Sequence, residues 1–186
     1  MIEIRWHGRG GQGGVTAAKV LAATALRDGK QFQAFPEYGP ERRGAPVQAF
    51  TRISDQPIRT FSHVTNPNIV VVLDSSLIGK VPLAEGLDED GVLIANYDGT
   101  PAELREKLSI RGRKVFTVNA TDIANRTLGR PITNTTMLGA LVRATGVVSL
   151  EELLAEVREM FSKFKGDIVE KNVAAVKAAY EEVRSE

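Results

Sequence analysis

The residues best placed to do chemistry stand near the N-terminus, in Gly8-Arg9-Gly10-Gly11-Gln12-Gly13-Gly14, five glycines within seven residues. Glycine lets the backbone enter φ > 0 and approach a ligand closely. A helix starting here would offer unpaired N–H groups and a positive dipole end to an anion. Gly8, Gly10 and Gly13 also satisfy the letter of the G-x-G-x-x-G dinucleotide fingerprint. That reading needs an acid at the end of the second strand for the ribose hydroxyls, yet the strand ends Ala34-Phe35-Pro36, with Glu37 beyond the proline. A P-loop is excluded because Gly14-Val15 follow Gly13 where Lys and Ser or Thr are required. The plain alternative is a tight turn that packs a helix on a sheet. Packing alone rarely demands so many glycines, which favours anion contact.

The second unusual segment is Phe35-Pro36-Glu37-Tyr38-Gly39-Pro40-Glu41-Arg42-Arg43-Gly44-Ala45-Pro46. Its prolines restrict the backbone and lower the entropy cost of holding Arg42 and Arg43 in one pose, as carboxylate or phosphate recognition requires. Pairing of Glu41 with the arginines at a solvated surface accounts for the same residues equally well. His7 and His63 lie far apart, with no Ser or Cys nucleophile in a recognisable motif nearby, so both read as structural and no catalytic residue is assigned. Asp74 follows Ile69-Val70-Val71-Val72-Leu73, where open α/β sheets place ligands, or caps the next turn through the N–H groups of Ser76 or Leu77. Asn134 reads as the N-cap of the helix beginning Thr135-Thr136-Met137.

These residues are carried by alternating strands and helices. Ile2 to His7 alternates like a short strand, and Val15, Ala18, Leu21, Ala22, Ala25 and Leu26 share one helical face up to Arg27. Gln31 to Phe35, Val47 to Ile53, Ile58 to Phe61, Ile69 to Leu73, Val92 to Ala95 and Val115 to Val118 supply further strand candidates. Thr100-Pro101-Ala102-Glu103 and Ser149-Leu150-Glu151-Glu152 carry capping-box spacing. Beyond Asn119 strand signals stop, and helices are predicted at Ala120 to Leu128, Thr135 to Ala144, Ser149 to Phe164 and Asp167 to Arg184. The expectation is one α/β domain over residues 1–186, with a mixed or mostly parallel sheet flanked by helices and a helical C-terminal third.

The bulk numbers narrow the function. With 186 residues, 42% hydrophobic, the chain closes one core unaided. A formal net charge of +1 gives no global drive toward nucleic acid or anionic lipid, so an anion site must be local. Cysteine is absent, which removes disulfides, thiolate nucleophiles, the usual structural zinc and any iron–sulfur cluster held by this chain; no metal site is predicted. No signal-like or spanning apolar segment is visible, so a soluble, cytoplasmic protein is expected.

In their order and spacing, Trp6 to Lys19, Gly39 to Pro46, Val47 to Ser54, Pro57-Ile58-Arg59, Val70 to Asp74 and Asn134 to Ala140 resemble the gamma subunit of the pyruvate:ferredoxin oxidoreductase family. The resemblance reaches about Val142; the last forty or so residues match only in helical character. It implies oxidative decarboxylation of a 2-oxoacid with coenzyme A to acyl-CoA, carbon dioxide and reduced ferredoxin, or the reverse. It also implies that thiamine diphosphate, magnesium and [4Fe–4S] clusters lie in alpha, beta and delta type partners, with ferredoxin met indirectly. The Arg42-Arg43-Gly44-Ala45-Pro46 loop looks more like pyruvate or branched-chain subunits than the 2-oxoglutarate type. On that footing the cofactor-binding residues expected are Arg9, Gly10, Gly11, Gln12, Gly13, Gly14 and Lys19, holding coenzyme A. Glu41, Arg42 and Arg43 would reach the same ligand or a subunit interface. A stand-alone nicotinamide dehydrogenase and a purely structural assembly subunit are the rival readings.

Overall fold

The computed structural model describes residues 1–37 and 44–186. Its centre is the first strand, β1 (Ile2–Arg9), which has a neighbour on both edges and cover on both faces. Ile4 and Trp6 face one core; Arg5 and His7 face the other side, where segment 75–88 covers them. The remaining strands are β2 (Gln31–Pro36), β3 (Pro46–Ser54), β4 (Ile69–Val72), β5 (Val92–Asn96), β6 (Lys114–Val118) and β7 (Arg184–Ser185). They make one sheet in the order β2-β3-β1-β4-β5-β6-β7. β1, β4, β5 and β6 are parallel, with Trp6 opposite Val71 and Val71 opposite Ile94. β3 runs antiparallel to both β1 and β2, placing Trp6 opposite Ala49 and Phe35 opposite Phe50.

The all-apolar run of β4 is explained by two cores. Ile69 and Val71 join Trp6 beneath the helices, while Val70 and Val72 join Leu77, Leu83, Leu93 and Leu104 on the opposite face. Helix α1 (Gly14–Arg27) packs on β2 and β3, and α4 (Asn134–Thr145) packs between α1 and α6 (Ile168–Glu182). The others are α2 (Pro101–Leu108), α3 (Ala120–Leu128) and α5 (Leu150–Phe161). Gly139 in mid-α4 permits the tightest crossing: a Cβ there would overlap the carbonyl oxygen of Val176 and lie 2.9 Å from its carbon.

Several expectations are corrected. Ile58 to Phe61 belongs to no strand; Arg52 instead holds this stretch and its continuation, its guanidinium donating to Thr60 O at 3.3 Å and to Ser62 O, just beyond it, at 2.6 Å. Strand structure does not stop at Asn119. Val183 turns extended after α6, and β7 pairs antiparallel with β6, Thr117 opposite Arg184, a ladder too short to show periodicity. The capping box at Thr100 forms in both directions, 3.2 Å from Glu103 N–H and 2.7 Å back to Glu103 Oε2. At Ser149 only the forward half forms. Its backbone N–H donates instead to Asp28 Oδ2 at 2.8 Å, tying α5 to the end of α1. Asn134 is not the N-cap of α4, because the helix starts one residue earlier. Thr133 holds the cap position, and its hydroxyl donates to Leu73 O at 3.3 Å.

Candidate functional site

The glycine run links β1 to α1 at the carboxyl ends of the parallel strands. Gly13 takes the left-handed conformation, φ 77°, at the N-cap of α1, a position that would strain any residue with a Cβ. Its own Cβ position is also taken: a methyl there would collide with Asn134 Nδ2 and sit 3.1 Å from Asn134 Cγ. Asn134 is therefore the wall behind the loop.

Gln12 fixes the loop from within. Its Oε1 accepts from Arg9 N–H at 2.7 Å, and its Nε2 donates to Asp74 Oδ2 at 2.5 Å. Asp74 Oδ1 accepts from Ser76 N–H at 2.8 Å, so Asp74 both caps the short 3₁₀ turn Ser75–Leu77 and locks the loop. Burial pushes the Asp74 carboxyl up, but hydrogen bonds from Ser76 and Gln12 and the Arg9 charge outweigh it and hold it below the usual carboxylate value. Arg9 Nε and Nη2 reach Ser76 Oγ at 3.0 and 2.9 Å, and Nη1 donates to Gly44 O at 3.0 Å. Arg9 Nε lies 3.4 Å from Asp74 Oδ2. Three of the five guanidinium N–H groups are thus engaged among the described residues. Gly10 N–H donates to Ala45 O at 2.9 Å and Gln12 N–H to Arg9 O at 3.0 Å. The N–H groups of Gly11, Gly13 and Gly14 have no backbone acceptor among the described residues.

Arg9, Gly10, Gly11, Gly13 and Gly14 line one cleft of about 280 Å³, closed by Trp6, Val15 and the start of β3 at Val47 to Ala49. Gln12 turns inward behind it. Lys19 is exposed on α1 outside the cleft lining, five residues past the helix start. Glu41, Arg42 and Arg43 lie outside the described residues.

The topology disposes of the dinucleotide reading on firmer ground than the missing acid. β3 is inserted between β1 and β2, so the strand that would carry the ribose-binding acid is not next to β1 at all. His7 is a buried acceptor: Arg5 Nε donates to its Nε2 at 2.9 Å. Burial, with the Arg5 charge adding to it, pushes the imidazole down to about 3. Arg5 itself donates to the carbonyls of Leu83 and Glu85, at 3.1 and 2.5 Å. Among the described residues no three His, Asp or Glu side chains converge as metal ligands would. No helix among them is long and apolar enough to cross a membrane.

Two participants escaped sequence reasoning. Asn134 carried only a capping signal. Asn96, at the end of β5, donates to Leu73 O at 3.0 Å and Thr121 Oγ1 at 2.9 Å, stitching the strand ends together.

Comparison with known proteins agrees with this architecture. The family described as "Pyruvate ferredoxin/flavodoxin oxidoreductase" matches residues 3–182. The common gamma subunit of the pyruvate/ketoisovalerate oxidoreductases of Pyrococcus abyssi is 50% identical, over 99% of this chain and 98% of its own. The pyruvate synthase subunit PorC of Methanothermobacter thermautotrophicus is 52% identical, over 98% of this chain and 96% of its own. The crystal structure of the pyruvate oxidoreductase subunit PORC of Thermotoga maritima superposes with a TM-score of 0.89 at 45% identity, covering 100% of this chain and 98% of that one. A 2-oxoglutarate:ferredoxin oxidoreductase from Magnetococcus marinus, solved with coenzyme A bound, shares the fold at a TM-score of 0.78 and 18% identity, this chain matching 31% of its length. The chain belongs to the pyruvate ferredoxin/flavodoxin oxidoreductase family, in which it is a gamma-type subunit.

Proposed function

We propose that this subunit holds the phosphates or the pantetheine arm of coenzyme A in the glycine cleft, inside a complex that converts pyruvate and coenzyme A to acetyl-CoA and carbon dioxide while passing two electrons to ferredoxin. The relatives named for pyruvate, and for pyruvate with ketoisovalerate, support pyruvate as the 2-oxoacid and keep the branched-chain acids as the second choice. With no cysteine, the chain supplies no thiolate for a cluster. Thiamine diphosphate, magnesium and the [4Fe–4S] clusters are accordingly assigned to alpha, beta and delta type partners.

One observation carries the coenzyme A reading. At the N-terminus of α1, the N–H groups of Gly11, Gly13 and Gly14 are free of backbone acceptors among the described residues, in a cleft that Arg9 also lines. Donors of this kind stabilise an anion without any movement at binding, because Gln12 and Asp74 have already set the loop. The chain's part is positional: it binds and orients the thiol carrier, and the bond-making atoms belong to the ligand and the partner's cofactor.

The test is the apparent KM for coenzyme A in the assembled enzyme. Lys19→Gln removes an exposed charge near the helix start, and a modest rise of about two- to fivefold is expected at unchanged kcat. Arg9→Gln should raise KM more, roughly tenfold, since a charge-assisted bond is lost. If both variants assemble and neither moves KM, the loop contacts only protein.

A further inference from the structure

On the far side of Asn134 lies a second concavity, about 230 Å³, between the α3–α4 turn, the end of α5 and the start of α6. Six of its eleven lining residues are apolar: Leu128, Ile132, Met160, Phe161, Phe164 and Ile168. Phe164 is 55% exposed and Ile132 40%, although Phe161 and Phe164 already pack together with ring centroids 5.7 Å apart. Exposing large apolar side chains around a hollow is unfavourable unless something covers them.

Among the described residues, the charge left unpaired beside the hollow is cationic. Acids in the neighbourhood are spent: Glu159 pairs with Arg27, Asp167 with Lys171 at 3.0 Å, and Glu170 with Arg158 at 3.7 Å. Arg130 on the lining, and Lys163 and Lys165 flanking Phe164, make no ion pair with any described residue. A largely apolar hollow with Arg130 on its lining, and with Lys163 and Lys165 next to Phe164 in the chain, none of them ion-paired among the described residues, complements an acidic segment that presents bulky apolar anchors.

We propose that this groove is a docking site for such a segment of a partner subunit, an acidic stretch that inserts one or two large apolar side chains between Phe164 and Ile132. The concave shape fits side chains rather than a flat bilayer, and the family assignment supplies partners. The groove shares Asn134 with the glycine loop, since the same side chain lines the hollow and backs Gly13. A partner seated there is held one residue away from the cleft. Asn134 Oδ1, buried and without a hydrogen-bond partner, is available to a donor from that segment after a small side-chain adjustment.

The experiment measures incorporation of the chain into the reconstituted complex, as a dissociation constant against the remaining subunits. Phe164→Ser should weaken incorporation by about tenfold or more. Lys163→Glu/Lys165→Glu, on an exposed turn where folding is insensitive to charge, should weaken it similarly and abolish or reverse the salt dependence shown by the unaltered chain. Hydrogen exchange at residues 160–168 should slow on assembly, and the KM for coenzyme A of whatever complex forms should stay unchanged, separating this site from the glycine cleft. Unchanged incorporation of both variants overturns the proposal. So does protection of the groove by coenzyme A alone, or binding to anionic vesicles that both variants lose while assembly persists.

Discussion

Gly13→Ala tests the wall behind the loop quantitatively. Two separate costs arise: the left-handed backbone at φ 77° disfavours any Cβ by about 1–2 kcal/mol, and the new methyl collides with the Asn134 amide, an overpacking cost of about 1–3 kcal/mol. The substitution should therefore destabilise the chain by about 2–5 kcal/mol, and a loss of 3 kcal/mol lowers Tm by roughly 6–12 °C for a domain of this size. Asn134→Ala removes the colliding amide and leaves Cβ, which lies at an ordinary 3.4 Å, so the double variant should recover the packing cost and retain only the backbone one. Denaturant unfolding of the chain, the two single variants and the double variant gives the coupling directly, with about 1–3 kcal/mol expected. Additive costs, agreeing within about 0.5 kcal/mol, would refute Asn134 as the wall against Gly13.

His7 predicts a pH dependence. Its imidazole is held down to about 3 in the fold against 6.5 when free, so the unfolded chain takes up a proton first as pH falls. Stability from this group is fully present above about 6.5 and erodes toward about 3 by up to roughly 1.4 kcal/mol per pH unit; His7→Gln, which still accepts from Arg5, should flatten that slope in denaturant melts. Arg52, 1% exposed, pairs with Glu3 at 2.7 Å and stacks 5.3 Å from the Phe35 ring; Arg52→Met should cost about 3–5 kcal/mol and speed hydrogen exchange at 58–63, and a loss under 1 kcal/mol contradicts its role as the clasp of that segment. Gly139→Ala gains about 1 kcal/mol of helix propensity yet must push α4 off α6, so a net loss of roughly 2 kcal/mol or more is expected; stabilisation in a thermal melt would show that the crossing is looser than described.

Local signals carried most of the elements. Asn119 and Gly129 bracket α3 at the predicted residues, because a side-chain cap and a left-handed glycine each act within one turn. The Ile69–Val72 run was legible as a strand buried on both faces, since no other environment tolerates it. What escaped depends on partners distant in the chain. Ile58 to Phe61 has the composition of a strand, and only the reach of Arg52 to the carbonyls of Thr60 and Ser62 shows that the stretch is held another way. The insertion of β3 between β1 and β2 leaves no mark on either strand, yet it decides against dinucleotide binding. Within the site, the glycines and Arg9 declared themselves by composition. The bond from Gln12 to Asp74 spans 62 positions and looks, residue by residue, like ordinary polar surface.

Coenzyme A seated in the glycine cleft would engage the backbone N–H groups at the start of α1. Hydrogen exchange on the assembled complex, with and without coenzyme A, reads those amides directly. Slowed exchange at Gly11 to Gly14 that appears only with coenzyme A is the predicted result. Identical exchange at those amides, in a complex shown to be turning over coenzyme A, contradicts it.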